Sequence, residues 1–98
     1  EFDANLVAVA TANAAKEGVG DKATFERADM FATDFSNATV VVLFLLPDLN
    51  IKLRPSILNM KPGTRVVSNT FEMGGWMPDQ VESLREECDF FFCKALLW

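Results

Sequence analysis

Few types of side chain in this sequence could transfer protons or bind a ligand. It contains no histidine, so the commonest general base and the commonest metal ligand are both missing. Any proton transfer would fall to Asp, Glu, Lys or Cys side chains. Cys88 and Cys93 match neither a metal-binding knuckle nor a redox pair in their spacing, and we expect both to be reduced and half-buried. The sequence therefore predicts no metal site.

The acidic side chains remain as candidates for ligand binding. Asp29 follows a short predicted strand, where it could cap the next loop through an Asx-turn or contact a ligand, and both roles stay open. Asp48 stands at the start of a predicted helix, and we interpret it as an N-cap rather than as a catalytic base. No residue is assigned as catalytic from the sequence.

The composition indicates one small acidic domain. Half of the 98 residues are apolar and 11% are aromatic, which argues against disorder. The net charge is −5 and the nine Lys and Arg residues are spread singly, so a direct nucleic-acid partner is not expected. The longest apolar runs are far shorter than the roughly 20 residues that cross a bilayer. We expect a cytoplasmic protein that does not contact a membrane.

The first half of the chain predicts a helix and two strands. A helix is expected over 3–17, with Asp3 as its N-cap and Gly18 as part of its stop signal. A short strand is expected over 23–29. The continuous β-branched and aromatic run at 38–46 is typical of a central strand that is covered on both faces.

The next segment predicts a βαβ unit. A helix is expected over 47–60, and Pro55 should kink or restart it near its middle. A turn at 61–64 and a strand over 64–71 follow. Strand, helix and strand in this order predict a parallel pair with a crossover helix.

The last segment is less regular. The Gly-rich and Pro-containing loop at 72–79 carries Met73, Trp76 and Met77, which we expect to pack over a sheet edge rather than to line a substrate mouth. Residues 80–87 are compatible with a helical turn or a polar strand, and both remain open. Residues 90–98 are expected to form a closing strand.

Several phrases resemble one known family. They are "EFDANLVAVATANAAKEGV" and "ADMFATDFSNATVVVLFLLPDLNIKLRPSILNMKPGTRVVSNTFEMGGW". Together they resemble the class I S-adenosylmethionine-dependent methyltransferases, especially a bacterial branch with unassigned substrates and, more loosely, lysine methyltransferase-like relatives. The resemblance covers residues 1–78 well and 79–98 poorly. It implies an α/β fold in one truncated domain, 1–98: a partial Rossmann-like methyltransferase sheet, mostly parallel with a C-terminal antiparallel strand, with helices packed on it.

The resemblance also implies a cofactor site. Glu1 stands where the family places the acidic residue that binds the two ribose hydroxyls of the cofactor, because a carboxylate can accept two hydrogen bonds from a diol. Phe2 would pack beside the adenine, Asp29 would face the adenine amino group, and Met30 would flank the ring. In the isolated chain, the interpretation of Glu1 as a solvated terminal carboxylate is preferred to this binding role.

A second part of the implied site lies after the long apolar strand. The segment "FLLPD" at 44–48 resembles the part of the family that faces the methyl donor and the substrate, which makes Leu45 and Leu46 cofactor-binding candidates. The family's glycine-rich loop is not found in this sequence, since "GVGDK" at 18–22 follows a helix rather than a strand. We therefore expect a fragment that binds S-adenosylmethionine weakly or not at all.

The same departure affects the sheet and the function. The first two strands of the resembled family are missing from this sequence, apart from the end of the second, which remains as Glu1 and Phe2. In the family these strands lie between the strands near 23–28 and 38–46, so we expect a homodimer or a strand-exchanged oligomer that fills the gap.

The first functional hypothesis is a methyltransferase-like domain of unknown acceptor that is weak or inactive alone. The alternative is a non-catalytic, self-associating α/β module. A nicotinamide dinucleotide domain shares the acidic ribose residue but fits the other motifs less well.

Overall fold

The computed structural model describes residues 1–84, 88 and 93–98, and the chain divides into two compact units, residues 1–34 and 35–98. Each unit is described by itself. The first contains helix α1, Ala4–Lys16. The elements of the second are β1 Val40–Leu43, α2 Pro47–Leu58, β2 Arg65–Asn69, β3 Gln80–Ser83 and β4 Lys94–Leu97. The expected α/β class is confirmed.

Helix α1 begins where its capping residue predicts. The Asp3 carboxylate oxygen Oδ1 accepts the backbone N–H groups of Asn5 at 2.7 Å and Leu6 at 3.4 Å, so the predicted N-cap is confirmed. Ala14 is the buried residue of this helix, while Leu6 is 54% exposed. The alanine-rich stripe therefore gives α1 little apolar burial.

The end of α1 is a Schellman motif. The N–H of Gly18 donates to the carbonyl of Ala15 at 3.1 Å, and the N–H of Val19 donates to the carbonyl of Ala14 at 2.9 Å. Gly18 has φ +73°, a left-handed conformation in which a Cβ is unfavourable. The predicted stop signal is therefore confirmed in its backbone geometry.

Replacement of Gly18 by Ala should lower the free energy of unfolding by about 1 kcal/mol, because the left-handed conformation is strained for any residue with a Cβ. Gly20→Ala is the matched control, since a Cβ there would lie 3.7 Å from the Ala15 Cα, an ordinary contact. Urea unfolding of the two variants, followed by circular dichroism, measures the difference. Equal losses in both variants would contradict the assignment.

Residues 23–29 do not form the predicted strand, so that prediction was wrong. The segment instead makes two backbone hydrogen bonds to the first residue of the chain. The backbone nitrogen of Glu1 donates to the Glu26 carbonyl at 3.2 Å, and the Ala28 N–H donates to the Glu1 carbonyl at 3.0 Å. These bonds follow the pattern of a parallel strand pair but are too few to form a ladder, and Phe25 is 42% exposed.

The second unit contains a four-stranded sheet in the order β1-β2-β4-β3. Strands β1 and β2 are parallel, with Val41 opposite Val66, and α2 connects them, so the predicted βαβ unit is confirmed. Strand β4 pairs antiparallel with both β2 and β3. Strands β1, β2 and β3 therefore run in one direction and β4 runs against them, so the predicted sheet, mostly parallel with a C-terminal antiparallel strand, is confirmed.

Strand β1 lies at an edge of this sheet, and the prediction of a central strand covered on both faces was wrong. Leu43 is buried, but Val42 is 75% exposed and the following Phe44 is 60% exposed. A continuous apolar run indicates side chains suited to burial on both faces, whereas in β1 burial alternates: Val41 and Leu43 are at least half-buried, and Val40 and Val42 are exposed.

Helix α2 begins at Pro47, with Leu46 as its N-cap and without a side-chain hydrogen bond at the cap. The prediction that Asp48 is the N-cap was therefore wrong. Proline is favoured at the first helical position because its missing N–H would have no partner there. Asp48 instead lies in the first turn, where its carboxylate is next to the positive end of the helix dipole.

Helix α2 continues through Pro55 to Leu58, so of the two predicted effects of Pro55 the restart was wrong, and the kink stays a prediction. Leu53 and Ile57, on either side of the proline, are each only 4% exposed, and their burial supports the helix where a backbone bond is lost. Among the described residues of this unit, the other buried apolar side chains are those of Leu43, Met60, Val66, Met73, Leu96 and Trp98.

The C-terminal segments resolve some of the open alternatives. Strand β3 favours the strand interpretation for the start of 80–87, whereas 85–87 lie outside the described residues. Strand β4 confirms the closing strand for its described part, and 90–92 are not described. Cys88 and Cys93 are half-buried and form no disulfide. Among the residues described, no helix is long and apolar enough to span a membrane.

The loop after β2 packs unevenly. Met73 is fully buried and Trp76 is half-buried, as expected for residues that pack on the sheet, whereas Met77 is 69% exposed. The Trp98 indole Nε1–H donates to the Trp76 carbonyl at 2.9 Å, and the two rings are 5.8 Å apart. The packing prediction is therefore confirmed for Met73 and Trp76 and wrong for Met77, which lies beyond the turn.

Candidate functional site

The carboxyl group of Glu1 is oriented by its own neighbours in the chain. Its Oε1 atom accepts the N–H groups of Phe2 at 2.7 Å and Asp3 at 2.9 Å. These bonds stabilise the ionised form, so the Asp3 N–H first and the Phe2 N–H second lower the pKa of this carboxyl. An ionised carboxylate has about four lone-pair positions, so an exposed group in this arrangement can still accept hydrogen bonds from a diol.

The lowered pKa predicts a pH dependence. Because the pKa of Glu1 is lower in the folded chain than its ordinary value of 4.5, the two backbone bonds stabilise the first residues fully above about pH 4.5. Their contribution is lost as the pH falls through the folded pKa. Carbon-13 NMR titration of the Glu1 carboxyl, in the folded chain and in urea, measures both values. A folded midpoint at or above the urea midpoint would contradict this expectation.

Asp29 occupies the loop role that the sequence left open. Its Oδ1 accepts the Phe31 N–H at 2.9 Å, which forms an Asx-turn. Its backbone carbonyl accepts the Ala32 N–H at 3.1 Å and the Thr33 hydroxyl at 2.7 Å. The Asp29 side chain is nevertheless exposed, so its cofactor role stays a prediction.

The first unit brings four of the candidate residues together. The bonds between Glu1 and residues 26 and 28 place Glu1 and Phe2 beside the segment that leads into Asp29 and Met30. The Arg27 Nε–H also donates to the Phe2 carbonyl at 3.3 Å. Phe2 is 71% exposed and Met30 is half-buried. An exposed aromatic ring beside an oriented carboxylate is an arrangement that can contact a base and its ribose.

Leu45 and Leu46 belong to the second unit, where they follow β1. Leu45 is half-buried and Leu46 is 62% exposed. The preceding Phe44 stacks on Phe71, which follows β2, with ring centres 6.2 Å apart and planes inclined by 18°. Parallel strands bind ligands at their carboxyl ends, so this aromatic pair lies at the edge where a ligand is expected.

The backbone beside this aromatic pair is strained. Thr70 has φ +66°, and the Phe71 N–H donates to the Asn69 carbonyl at 2.7 Å, which is the pattern of a γ-turn. Such turns are rare for a residue with a Cβ and persist where the surroundings fix them. Phe71 and Thr70 were not predicted as site residues, although their position directly after the second parallel strand is a signal that could have identified them.

The fold and the sequence together place the chain among the methyltransferase-like α/β domains. Residues 1–80 match the ANTKMT methyltransferase domain family, and the chain belongs to this family. The predicted family resemblance is therefore confirmed.

Two known proteins show how much of such a domain the chain represents. It is 43% identical over 82 residues to a protein-lysine N-methyltransferase of Saccharolobus islandicus, a match that covers 83% of this chain and 51% of that protein. It is also similar to the crystal structure of an RNA methyltransferase from Salinibacter ruber in complex with S-adenosyl-L-homocysteine. The TM-score is 0.89 at 42% identity, over 100% of this chain and 61% of the other. The chain therefore spans about half the length of its curated relative.

Proposed function

We propose that the chain forms part of an S-adenosylmethionine-dependent protein-lysine N-methyltransferase, in which Glu1 binds the ribose of the cofactor. The observation that carries the proposal is the Glu1 carboxylate, which two backbone N–H groups orient and which lies beside the segment leading into Asp29. The similarity to the Saccharolobus protein-lysine N-methyltransferase supports the reaction class. The similarity to the Salinibacter RNA methyltransferase, whose structure contains S-adenosyl-L-homocysteine, supports the cofactor.

The charge of the chain favours a protein acceptor over RNA. The net charge is −5, and the nine basic residues are spread singly rather than along one stripe. RNA binding would need basic side chains to neutralise phosphates, whereas a lysine-bearing segment is itself cationic and is attracted by an acidic surface. Transfer to an amine depends mainly on in-line positioning of donor and acceptor, which suits a chain without histidine.

The isolated chain is proposed to be weak or inactive, because the family's glycine-rich cofactor loop is not in its sequence. A chimera tests the function: the matched 82 residues of the Saccharolobus protein are replaced by those of this chain. We expect the chimera to bind S-adenosylhomocysteine and to methylate lysines of a polylysine peptide, measured with labelled S-adenosylmethionine. A folded chimera that does neither would overturn the proposal. Calorimetric titration of the 98-residue chain should show little heat at millimolar cofactor.

A second candidate function, self-association without catalysis, is favoured by the edge strand β1. An edge strand presents unpaired backbone groups, and Val42 on β1 also exposes an apolar side chain. The occupant that we propose is β1 of a second copy, which would form a homodimer or a strand-exchanged oligomer.

Sedimentation velocity tests this association. We expect the chain to sediment as a dimer or larger at micromolar concentration and Val42→Lys to shift it towards the monomer, because a buried lysine at the strand pair is unfavourable. Val81→Lys is the matched control, since Val81 lies on β3 at the other edge of the sheet and is 51% exposed. A strictly monomeric wild-type chain would refute the association.

A further inference from the structure

We propose that Asn50 and Arg54 of α2 are positioning residues that fix the backbone of residues 71–73 and thereby hold the Phe71 ring against Phe44. Their importance for methyl transfer rests on the proposed function, because it assumes that the acceptor approaches the carboxyl ends of β1 and β2. The positioning itself can be tested without any activity.

Asn50 is fully buried and contacts the start of this segment. Its side-chain nitrogen Nδ2 lies 3.2 Å from the Phe71 carbonyl and 3.3 Å from the Glu72 carbonyl. It also lies 3.4 Å from the Ser68 hydroxyl, which itself donates to the Phe71 carbonyl at 2.6 Å. Two carbonyl oxygens on one side of the amide fix its orientation, because the reversed amide would place oxygen against oxygen.

The oxygen atom of the Asn50 amide indicates that a contribution to stability alone does not explain why this position is an asparagine. The Asn50 Oδ1 atom is buried and has no hydrogen-bond partner among the described residues. Burial of an acceptor without a partner is unfavourable, and an apolar side chain of similar volume would avoid it. We therefore attribute the asparagine to its donor contacts with residues 71 and 72.

Arg54 extends this contact by one residue. It lies four positions after Asn50, on the same face of α2, and its Nη1–H donates to the Met73 carbonyl at 3.0 Å. Gly74 follows with φ +67°, and a Cβ there would lie 3.1 Å from Arg54 Nη1. Three consecutive carbonyls, of residues 71 to 73, are thus held by two side chains one helical turn apart.

Residues 71–73 follow directly after the strained turn at Thr70. Thr70 keeps φ +66° while its N–H donates to the Lys94 carbonyl of β4 at 2.7 Å. The turn is therefore fixed on one side by β4 and on the other by α2. Phe71, between the two attachments, is placed with its ring on Phe44, so a change at Asn50 should move this aromatic pair rather than the rest of the sheet.

NMR of the 98-residue chain with carbon-13-labelled phenylalanine tests the proposal. In Asn50→Leu, we expect shifted ring resonances for Phe44 and Phe71 and an exchange rate of the Thr70 amide raised about tenfold, with an unchanged or higher urea midpoint. Asn13→Leu, an exposed asparagine on α1, is the control and should change neither signal. If Asn50→Leu does not fold, Asn50→Asp is judged by the same two signals.

Unchanged Phe44 and Phe71 resonances and an unchanged Thr70 exchange rate in a folded Asn50 variant would overturn the positioning role. So would a fall in the urea midpoint with uniform shifts throughout the sheet, because that is the signature of a merely structural role. Methyl transfer by the chimera tests the proposed function alone. A chimera that fails to methylate leaves the NMR result on Asn50 standing, and the two failures are therefore distinguishable.

Discussion

Replacement of Glu1 by Ala in the chimera is expected to weaken the binding of S-adenosylhomocysteine by at least about 100-fold. Each hydrogen bond from a ribose hydroxyl to an ionised carboxylate contributes roughly 1.5–3 kcal/mol, and two such bonds are lost. The same substitution removes the acceptor for the Phe2 and Asp3 N–H groups, which orient the start of α1. Isothermal titration calorimetry of the chimera and its variant measures the two dissociation constants.

Two controls separate ribose binding from a general effect of the substitution. Glu1→Gln keeps an acceptor oxygen but removes the charge, so we expect an intermediate loss of about tenfold, since bonds to neutral acceptors are weaker. Glu17→Ala removes an exposed carboxylate at the other end of α1 and should leave the affinity unchanged within about twofold. Comparable losses for the Glu1 and Glu17 variants would mean that the net charge, and not the ribose site, governs binding.

The elements that the sequence predicted well are those with local signals. Both ends of α1 could be predicted from Asp3 and Gly18, because a cap depends only on residues within one turn. The βαβ unit was also predictable, since a parallel pair requires a crossover. The edge position of β1 was not, because it depends on which other strands pair with it, and a run of apolar residues carries no such information.

The candidate site shows the same division. Glu1 and Asp29 were predicted as site residues from the family resemblance, and the structure adds the backbone contacts that bring their segments together. Asn50 was missed although the sequence holds a signal for it. Asn50, Leu53 and Ile57 follow the spacing of one helical face, and all three are buried. A polar residue on an apolar stripe indicates a specific hydrogen-bonding role, which is what the contacts of Asn50 show.

Truncation of Met73 to Ala is expected to lower the free energy of unfolding by about 3 kcal/mol. Met73 is fully buried, so the substitution removes three side-chain heavy atoms from the core and leaves a cavity. The surroundings can collapse little, because the Met73 carbonyl is held by Arg54 and Met73 pairs with Trp76 in an isolated β-bridge. A domain of this size is stable by only about 5–15 kcal/mol, so the loss is a large fraction of the total.

Met77→Ala is the matched control, since it is the same substitution four residues later in the same loop. Met77 is 69% exposed, and its truncation should change the free energy of unfolding by less than about 0.5 kcal/mol. Urea unfolding followed by tryptophan fluorescence measures both, because Trp76 and Trp98 lie in this region. Equal effects would show that the loop does not pack as described. A large loss confined to Met73 would instead establish that the loop between β2 and β3, which contacts α2 and β4, is an integral part of the core.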